Sequence, residues 1–387
     1  MTTRSIPRIK TEDRVDRLVR AVEQAPGNHY ANIIIAQVDP DAIGAAYGIA
    51  EILQALGKET AIWFSGGFSH PQNRVIKHRF NLSAEMNHIS RLSPSMDEGE
   101  DRSAGRINNF VLVDSNRADD SRLRYRIAPF LVVDHHKGSD LLDTDEDVQF
   151  FADQGFLWLD EGAGSASTMV AELLQQCVEA GIMPEDWKMT EKLATLLAMG
   201  IYSDTKNLIS GGIRDHEAFR WVSNWTTEAT IAQLIDYPLE EPNIQNLCRA
   251  LQKENRKHQG AHLLSGMGLI DSDYADDLST VADMLLRMPG VEISITWGGV
   301  RFIDEETEEE TIKLRVCARS QTLTKDLAEF LRKRFKGKCG AKQLPDGRGE
   351  GGAMFELDFD GWMKPDELLE IVDRRLKEWL FDAEETV

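Results

Sequence analysis

Cationic side chains are in short supply in this chain. Its 44 Lys and Arg stand against 65 Asp and Glu, a formal net charge of −21 at pH 7. A protein that grips long nucleic acid carries a basic stripe, because phosphate neutralisation supplies most of the affinity. That partner class is excluded, whereas a short anion held through metal ions and a few local cations is not. Cysteine is equally sparse. Cys177, Cys248, Cys317 and Cys339 are scattered without any CxxC spacing, which argues against a disulfide frame or thiolate zinc site and for free thiols in a reducing cytoplasm. No apolar run approaches the ~20 residues that a membrane span needs. The opening Met1-Thr2-Thr3-Arg4-Ser5 leads into charged residues rather than a signal-peptide core, so cytoplasmic localisation is expected and membrane association is not. Internal repeats and low-complexity tracts are missing too. Acidic runs such as Asp97-Glu98-Gly99-Glu100-Asp101 and Asp304–Glu310 read as solvated loops.

What is present is a long alternation of strand and helix signals. At 387 residues the chain exceeds one ordinary core, and two domains are expected. An amphipathic helix is predicted over about 11–24, with Val15, Leu18, Val19 and Val22 on its apolar face. From Ile33 onward, strands are predicted at 33–36, 60–64, 110–114, 131–134 and 156–159, with helices at 41–56, 164–180 and 191–202. Such alternation implies a parallel sheet with crossover helices. Strand signals vanish after about residue 222, and a polar helical stretch follows to about 262 as a connector. A second unit from 263 to 387 has strands at 291–297, 313–318 and 354–359 and helices at 280–287, 325–335 and 365–381. The expected fold class is α/β: a parallel-sheet domain with flanking helices over 1–222, then a smaller mixed-sheet α/β C-terminal domain, with the catalytic cleft between them.

The chemistry lies where the apolar runs end. Phe130-Leu131-Val132-Val133 leads to Asp134-His135-His136; Ile33-Ile34-Ile35-Ala36 to Asp39-Pro40-Asp41; Phe110-Val111-Leu112-Val113 to Asp114; and the apolar stretch Leu193–Ile201 to Ser203-Asp204-Thr205. Ligands of an open parallel sheet bind outside the carboxyl ends of its strands, so these side chains can converge on one pocket. Asp39 alone is explained as a helix N-cap with Pro40 at the first helical position. A cap needs one carboxylate, however, and Asp41 lies on the same first turn. Adjacent histidines after a buried strand cost stability unless hydrogen-bonded or ligating. Carboxylates mixed with imidazole suit Mn²⁺ or a similar divalent ion, and Asp114 could bridge two such ions.

The four segments together resemble the motifs of the DHH phosphoesterase superfamily, which includes RecJ-type nucleases, oligoribonuclease/phosphoadenosine-phosphate phosphatases and family II pyrophosphatases. The first motif, His-x-Asp-x-Asp-x-x-Gly, is matched by Gln37-Val38-Asp39-Pro40-Asp41-Ala42-Ile43-Gly44. The second is matched by Asp114, the third by Asp134-His135-His136, and the fourth by Gly200-Ile201-Tyr202-Ser203-Asp204-Thr205. The resemblance implies that Asp39 and Asp114 hold one Mn²⁺, and that Asp41, Asp114, His135 and Asp204 hold the other, with Mg²⁺ or Co²⁺ as substitutes. It makes His136 the group that touches the scissile phosphate or assists the leaving group, supported by Asp134. The second unit resembles the DHH-associated substrate-binding domain, through Arg319-Ser320 and the segment Gly347-Arg348-Gly349-Glu350-Gly351-Gly352-Ala353. By that resemblance Arg319, Ser320, Arg348, Gly349, Gly351 and Gly352 bind substrate, the glycines letting backbone N–H groups approach a phosphate. Two positions depart from the family: Gln37 replaces a metal-binding His and offers only an amide oxygen, and Glu350 replaces a loop His.

The function expected is Mn²⁺-dependent hydrolysis of short phosphodiesters, most simply di- or very short oligoribonucleotides such as pGpG. The alternatives are a short-chain polyphosphatase or nucleotide phosphomonoesterase, and a nucleotide-binding protein with little catalysis. The expected partner is a short anionic nucleotide, with homodimerisation left open.

Overall fold

The computed structural model describes residues 9–25, 29–92, 109–118, 123, 127–303, 310–321, 327–335, 339–343, 347–357 and 364–381. The acidic runs at 97–101 and 304–309 lie outside these residues. The chain divides into two compact units: Met1–Phe68 with Gln72–Tyr237, and Ser69–Pro71 with Pro238–Val387.

The first unit is built on six parallel strands: β1 (Tyr30–Ile35), β2 (Glu59–Phe64), β3 (Met86–His88), β4 (Phe110–Val113), β5 (Pro129–Asp134) and β6 (Phe156–Leu159). Their order in the sheet is β3-β2-β1-β4-β5-β6, with every neighbouring pair parallel. β-Branched residues dominate the central strands because both faces are buried. Ile33 and Ile35 enter the main core on one face, while Ile34 joins Leu112 and Val132 on the other. The strand order reverses between β1 and β4, so their carboxyl ends flank the crevice where ligands of such sheets bind.

The helices of this unit are α1 (Arg14–Gln24), α2 (Pro40–Ala55), α3 (Pro71–Arg79), α4 (Asp145–Asp153), α5 (Ala166–Glu179), α6 (Glu191–Asp204), α7 (Ile213–Val222) and α8 (Glu228–Ile235). Nearly all of α2 is buried, from Pro40 through Leu53. Such a helix needs slim side chains where its neighbours approach. A Cβ on Gly44 would stand 2.6 Å from the backbone oxygen of Leu196 in α6 and 2.7 Å from Ser167 Oγ in α5. Glycine therefore sets how closely the three helices meet, and α2 and α6 carry expected site residues.

The second unit holds a mixed sheet of β7 (Arg256–Gln259), β8 (His262–Asp271), β9 (Ile293–Ile303), β10 (Glu310–Ser320), β11 (Cys339–Gln343) and β12 (Gly349–Leu357), in the order β11-β12-β10-β9-β8-β7. Only β8 and β9 pair in parallel. One face packs on α9 (Glu241–Leu251) and α10 (Asp277–Leu285), through Leu278, Val281 and Leu285. The other packs on α11 (Leu327–Phe335) and α12 (Pro365–Phe381), through Leu327, Leu331, Phe335, Leu369 and Leu376. The stretch expected as a helical connector is shared between the units. α8 buries Leu234 in the first core, whereas α9 buries Asn243 and Asn246, which both donate to Asp277 of α10 at 2.7 Å. Among the described residues no helix is long and apolar enough to cross a membrane.

Candidate active site

Each expected residue of the first unit is delivered by an element that ends at the same edge of the sheet. Asp39 follows β1 and caps α2, its side chain accepting from the Ala42 N–H at 2.9 Å with Pro40 at the first helical position. Asp41, in the first turn of α2, is fully buried. Its two carboxylate oxygens accept the N–H groups of Ala166 and Ser167, each at 2.7 Å, and its carbonyl accepts from Ser167 Oγ at 3.0 Å. Asp41 thus supplies the negative charge that the N-terminus of α5 favours, and that bond fixes its orientation. Asp114 follows β4 with φ +52°, a left-handed conformation costly for most side-chain-bearing residues and tolerated best by Asn and Asp. The turn is held by its N–H donating to Val133 carbonyl at 3.0 Å. Asp204 is the last residue of α6, where a helix dipole disfavours a carboxylate and favours a cation.

His135 is the hub. Its Nε2 lies 3.6 Å from Asp41 Oδ2, 3.3 Å from Asp114 Oδ1 and 3.5 Å from Asp204 Oδ2. Around an octahedral ion with ligands at about 2.1 Å, neighbouring donor atoms stand about 3 Å apart, so these separations suit donors sharing one ion. Asp114, Asp134, His135 and His136 form a second group whose ligand atoms lie within 4.8 Å of one another. His136 Nδ1 hydrogen-bonds Asp134 Oδ1 at 2.8 Å and lies 3.5 Å from Asp114 Oδ1. Asp134 is wholly buried, so its carboxylate orients the ring rather than facing solvent.

The electrostatics of this edge call for cations. Asp114 Oδ1, Asp134 Oδ2 and His135 Nε2 are buried without a hydrogen-bond partner among the described residues, a costly state for polar atoms. Burial, and then the charge of Asp41, push Asp39 up to about 6. Burial, followed by the neighbouring carboxylates, holds Asp114 and Asp204 well above the usual carboxylate range. The hydrogen bond to Asp134 raises the His136 pKa, against the opposing effect of burial. Hard carboxylate oxygens with one imidazole are donors that a divalent cation accepts, and the orphaned Asp114 and His135 atoms give it a place. The residues fit the metal that the motifs imply.

Some contributors were not legible in the motifs. The N–H groups of Ala166 and Ser167 orient Asp41, and their sequence signal was the N-cap Ser165, which accepts from Thr168 N–H. Asn116, buried, donates to the His136 carbonyl at 3.0 Å; only its place in the polar run after β4 marked it. Gln37 sits in the exposed bend after β1.

The second unit brings its own expected residues together. Arg319 on β10 stands opposite Glu350 on β12, and Ser320 opposite Gly349. Arg319 Nε donates to Asp283 Oδ1 at 3.1 Å and lies 4.0 Å from Glu350 Oε1. The glycine-rich segment, expected as a loop whose N–H groups cradle phosphate, is instead a strand from Gly349 onward, paired on one side with β10 and on the other with β11. Those ladders take up its backbone groups. Its glycines answer to packing: a Cβ on Gly351 would stand 2.6 Å from Leu331 Cδ1, and one on Gly352 2.5 Å from the Val316 carbonyl.

An open parallel sheet whose switch point gathers aspartates and histidines in this way defines an α/β protein with a side-chain cluster able to hold a metal ion. Residues 32–201 match the DHH family, N-terminal domain. It is 28% identical over 213 residues to the bifunctional oligoribonuclease and PAP phosphatase NrnA of Bacillus subtilis, covering 54% of this chain and 53% of that protein. It is 25% identical over 280 residues to the cyclic-di-AMP phosphodiesterase GdpP of the same organism, covering 70% of this chain and 38% of that protein. The chain thus spans about half or less of the length of these relatives. An exopolyphosphatase-related protein from Bacteroides fragilis has a similar fold, with a TM-score of 0.59 at 15% identity over 95% of this chain and 98% of that one.

Proposed function

We propose that the chain is a divalent-metal-dependent hydrolase of short phosphodiesters, with di- or very short oligoribonucleotides such as pGpG as substrates and mononucleotides as products. The observation that carries this reading is the convergence of Asp41, Asp114 and Asp204 on His135 Nε2 at 3.3–3.6 Å, with buried donor atoms left unpartnered. The activities of NrnA and GdpP, both on nucleotide phosphoesters, support the substrate class.

In this reading Asp39 and Asp114 hold one ion, and Asp41, Asp114, His135 and Asp204 the other, with Mn²⁺ the preferred metal and Mg²⁺ or Co²⁺ substitutes. Such ions supply a lowered water pKa and stabilise charge that develops on phosphoryl oxygens. The protein's own residues do the rest. Asp41 is held in place by the N–H groups of α5 and keeps its donors aimed without reorganisation. Asp134 accepts from His136 Nδ1, which leaves Nε2 to carry a proton to the leaving oxygen. Gln37 leaves the first ion with fewer strong donors, so Gln37→His should tighten metal binding there. The net charge of −21 keeps long polyanions away while a short one is accepted.

The test is to incubate the purified protein with Mn²⁺ and, in parallel, pGpG, a pentaribonucleotide, phosphoadenosine phosphate and tripolyphosphate. Mononucleotide released fastest from the dinucleotide, and lost in Asp114→Asn with the fold intact, is the expected result. Orthophosphate from tripolyphosphate or from phosphoadenosine phosphate as the main product would replace this substrate with the monoester or polyphosphate reading. Nucleotide binding without turnover at saturating metal would reduce the chain to a binding protein.

A further inference from the structure

Asp215 is a buried carboxylate that does more than its place in α7 requires. It is the third residue of that helix, and its Oδ2 accepts the N–H of the capping residue, Gly212, at 2.7 Å. One oxygen completes this local duty. The other, Oδ1, accepts two donors from a segment 51 and 47 residues away: the N–H of Gly164 at 2.9 Å and Thr168 Oγ1 at 2.6 Å. Three donors thus satisfy a group that would be costly to bury unpaired.

The two distant donors bracket the start of α5. Ser165, the N-cap, accepts the N–H of Thr168 at 2.9 Å. Between them lie the N–H groups of Ala166 and Ser167, the pair that holds the Asp41 carboxylate. Asp215 therefore grips residues 164–168 at both ends, and the middle of that segment grips Asp41. The same side chain bounds the end of α6. A Cβ on Gly164 would stand 2.7 Å from both Asp215 Oδ2 and Thr205 Cγ2, and one on Gly211 3.2 Å from Asp215 Cβ and 3.4 Å from Thr205 Cβ. Thr205 is buried and directly follows Asp204; its Oγ1 donates to the Ile201 carbonyl at 2.5 Å and accepts the Leu208 N–H at 3.1 Å. The backbones of Gly164 and Gly211 are packed between Asp215 and Thr205, so a shift of Asp215 reaches Asp41 and Asp204 together.

We propose that Asp215 is a positioning residue for the metal site, setting Asp41 through residues 164–168 and Asp204 through Thr205. This rests on the reading of Asp41 and Asp204 as ligands of one ion and deepens it. Groups that orient metal ligands are worth about 10–100-fold in metal affinity.

The experiment titrates Mn²⁺ into the full chain by calorimetry and reads the tighter site. Asp215→Asn keeps the shape but turns an amide toward N–H and hydroxyl donors, and should raise the Kd about tenfold or more. Thr168→Val removes one donor at nearly constant volume, should raise it about threefold or more, and carries the test if Asp215→Asn does not fold. Glu172→Gln is the control. Arg214, beside Asp215, donates to both Glu172 oxygens on α5 at 2.7 Å, so this change loosens the same pair of helices without touching residues 164–168. It should lower the Tm and leave the Kd within about twofold. Folded Asp215→Asn and Thr168→Val proteins with unaltered Kd would overturn the inference and leave the metal site standing. An equal weakening in Glu172→Gln would also overturn it, assigning the effect to helix docking in general. No Mn²⁺ binding by the unaltered protein would overturn both readings.

Discussion

Replacing Gly200 by alanine tests whether helix packing sets the geometry of the site. A Cβ at Gly200 would collide with Ser167 Oγ and lie 2.9 Å from both Ser167 Cβ and the backbone Cα of Asp41. Carbon atoms in contact sit about 3.5–4.0 Å apart, so α2 and α6 must separate by about 0.6–1 Å, or Ser167 must turn and give up its bond to the Asp41 carbonyl. Overpacking of this kind costs about 1–3 kcal/mol, and the better helix propensity of alanine returns about 1 kcal/mol. The net loss, about 0–2 kcal/mol, is a fall in Tm of at most about 8 °C for a unit of this size. The functional loss is larger, because Asp41 moves relative to Asp204 and His135, and a misplacement of about 1 Å costs about 100-fold in rate. Gly48→Ala is the control. Its Cβ would meet only side chains, Val170 Cγ1 closely and Leu174 and Leu197 at 3.4 and 3.5 Å, two turns along α2 from Asp41. It should cost stability and spare turnover. Urea melts and initial rates on a short phosphodiester at saturating Mn²⁺ read the two quantities separately. Normal turnover in Gly200→Ala, at whatever stability, would refute the claim that this glycine positions the carboxylates.

The site carboxylates should separate by what else they do. Asp41→Asn places an amide against the Ala166 and Ser167 N–H groups and should lower the Tm of metal-free protein, by about 1–3 kcal/mol of lost hydrogen bonding. Asp204→Asn removes a charge from a helix C-terminus and should leave that Tm unchanged or raised, while both abolish turnover. Asp39 gives a pH signature. Its folded pKa, raised to about 6 from the ordinary 3.8, means the folded state binds the extra proton between those two values, so stability is lost as pH rises through that window. Metal-free protein should therefore melt higher at about pH 5 than at about pH 7, and Mn²⁺ should reverse the order, because ions displace those protons; parallel melts with chelator and with metal check this. Asp134→Asn removes the leading cause of the raised His136 pKa. If His136 acts as the acid, the alkaline limb of the kcat profile should move to lower pH, and an unmoved limb would assign that limb to another group.

The sequence by itself determined the parallel-sheet class and singled out the candidate residues at the strand ends, and the reasons are local. A strand buried on both faces must be continuously apolar, so Ile33–Ile35, Phe110–Val113 and Phe130–Val133 announced themselves, and the polar residues that ended them were conspicuous. The cap at Asp39 with Pro40 was readable because a helix start is a property of a few consecutive residues. Only the tertiary structure decided what those residues share. Nothing near Asp41 in sequence shows that its oxygens cap α5, 125 residues away, or that Asp114 must turn left-handed to aim its carboxylate. The glycines of 347–352 looked like a phosphate loop because glycine permits both close backbone approach and close side-chain packing. The second applies here, since β10 and β11 flank the strand and Leu331 fills the space above Gly351. The charge around Arg319 was hidden for the same reason. Asp283 lies on a helix and Glu350 on another strand, and their distance from Arg319 is set by how α10 and β12 pack against β10. Residue identity is written along the chain, but separation in space between distant residues is a property of the packed fold.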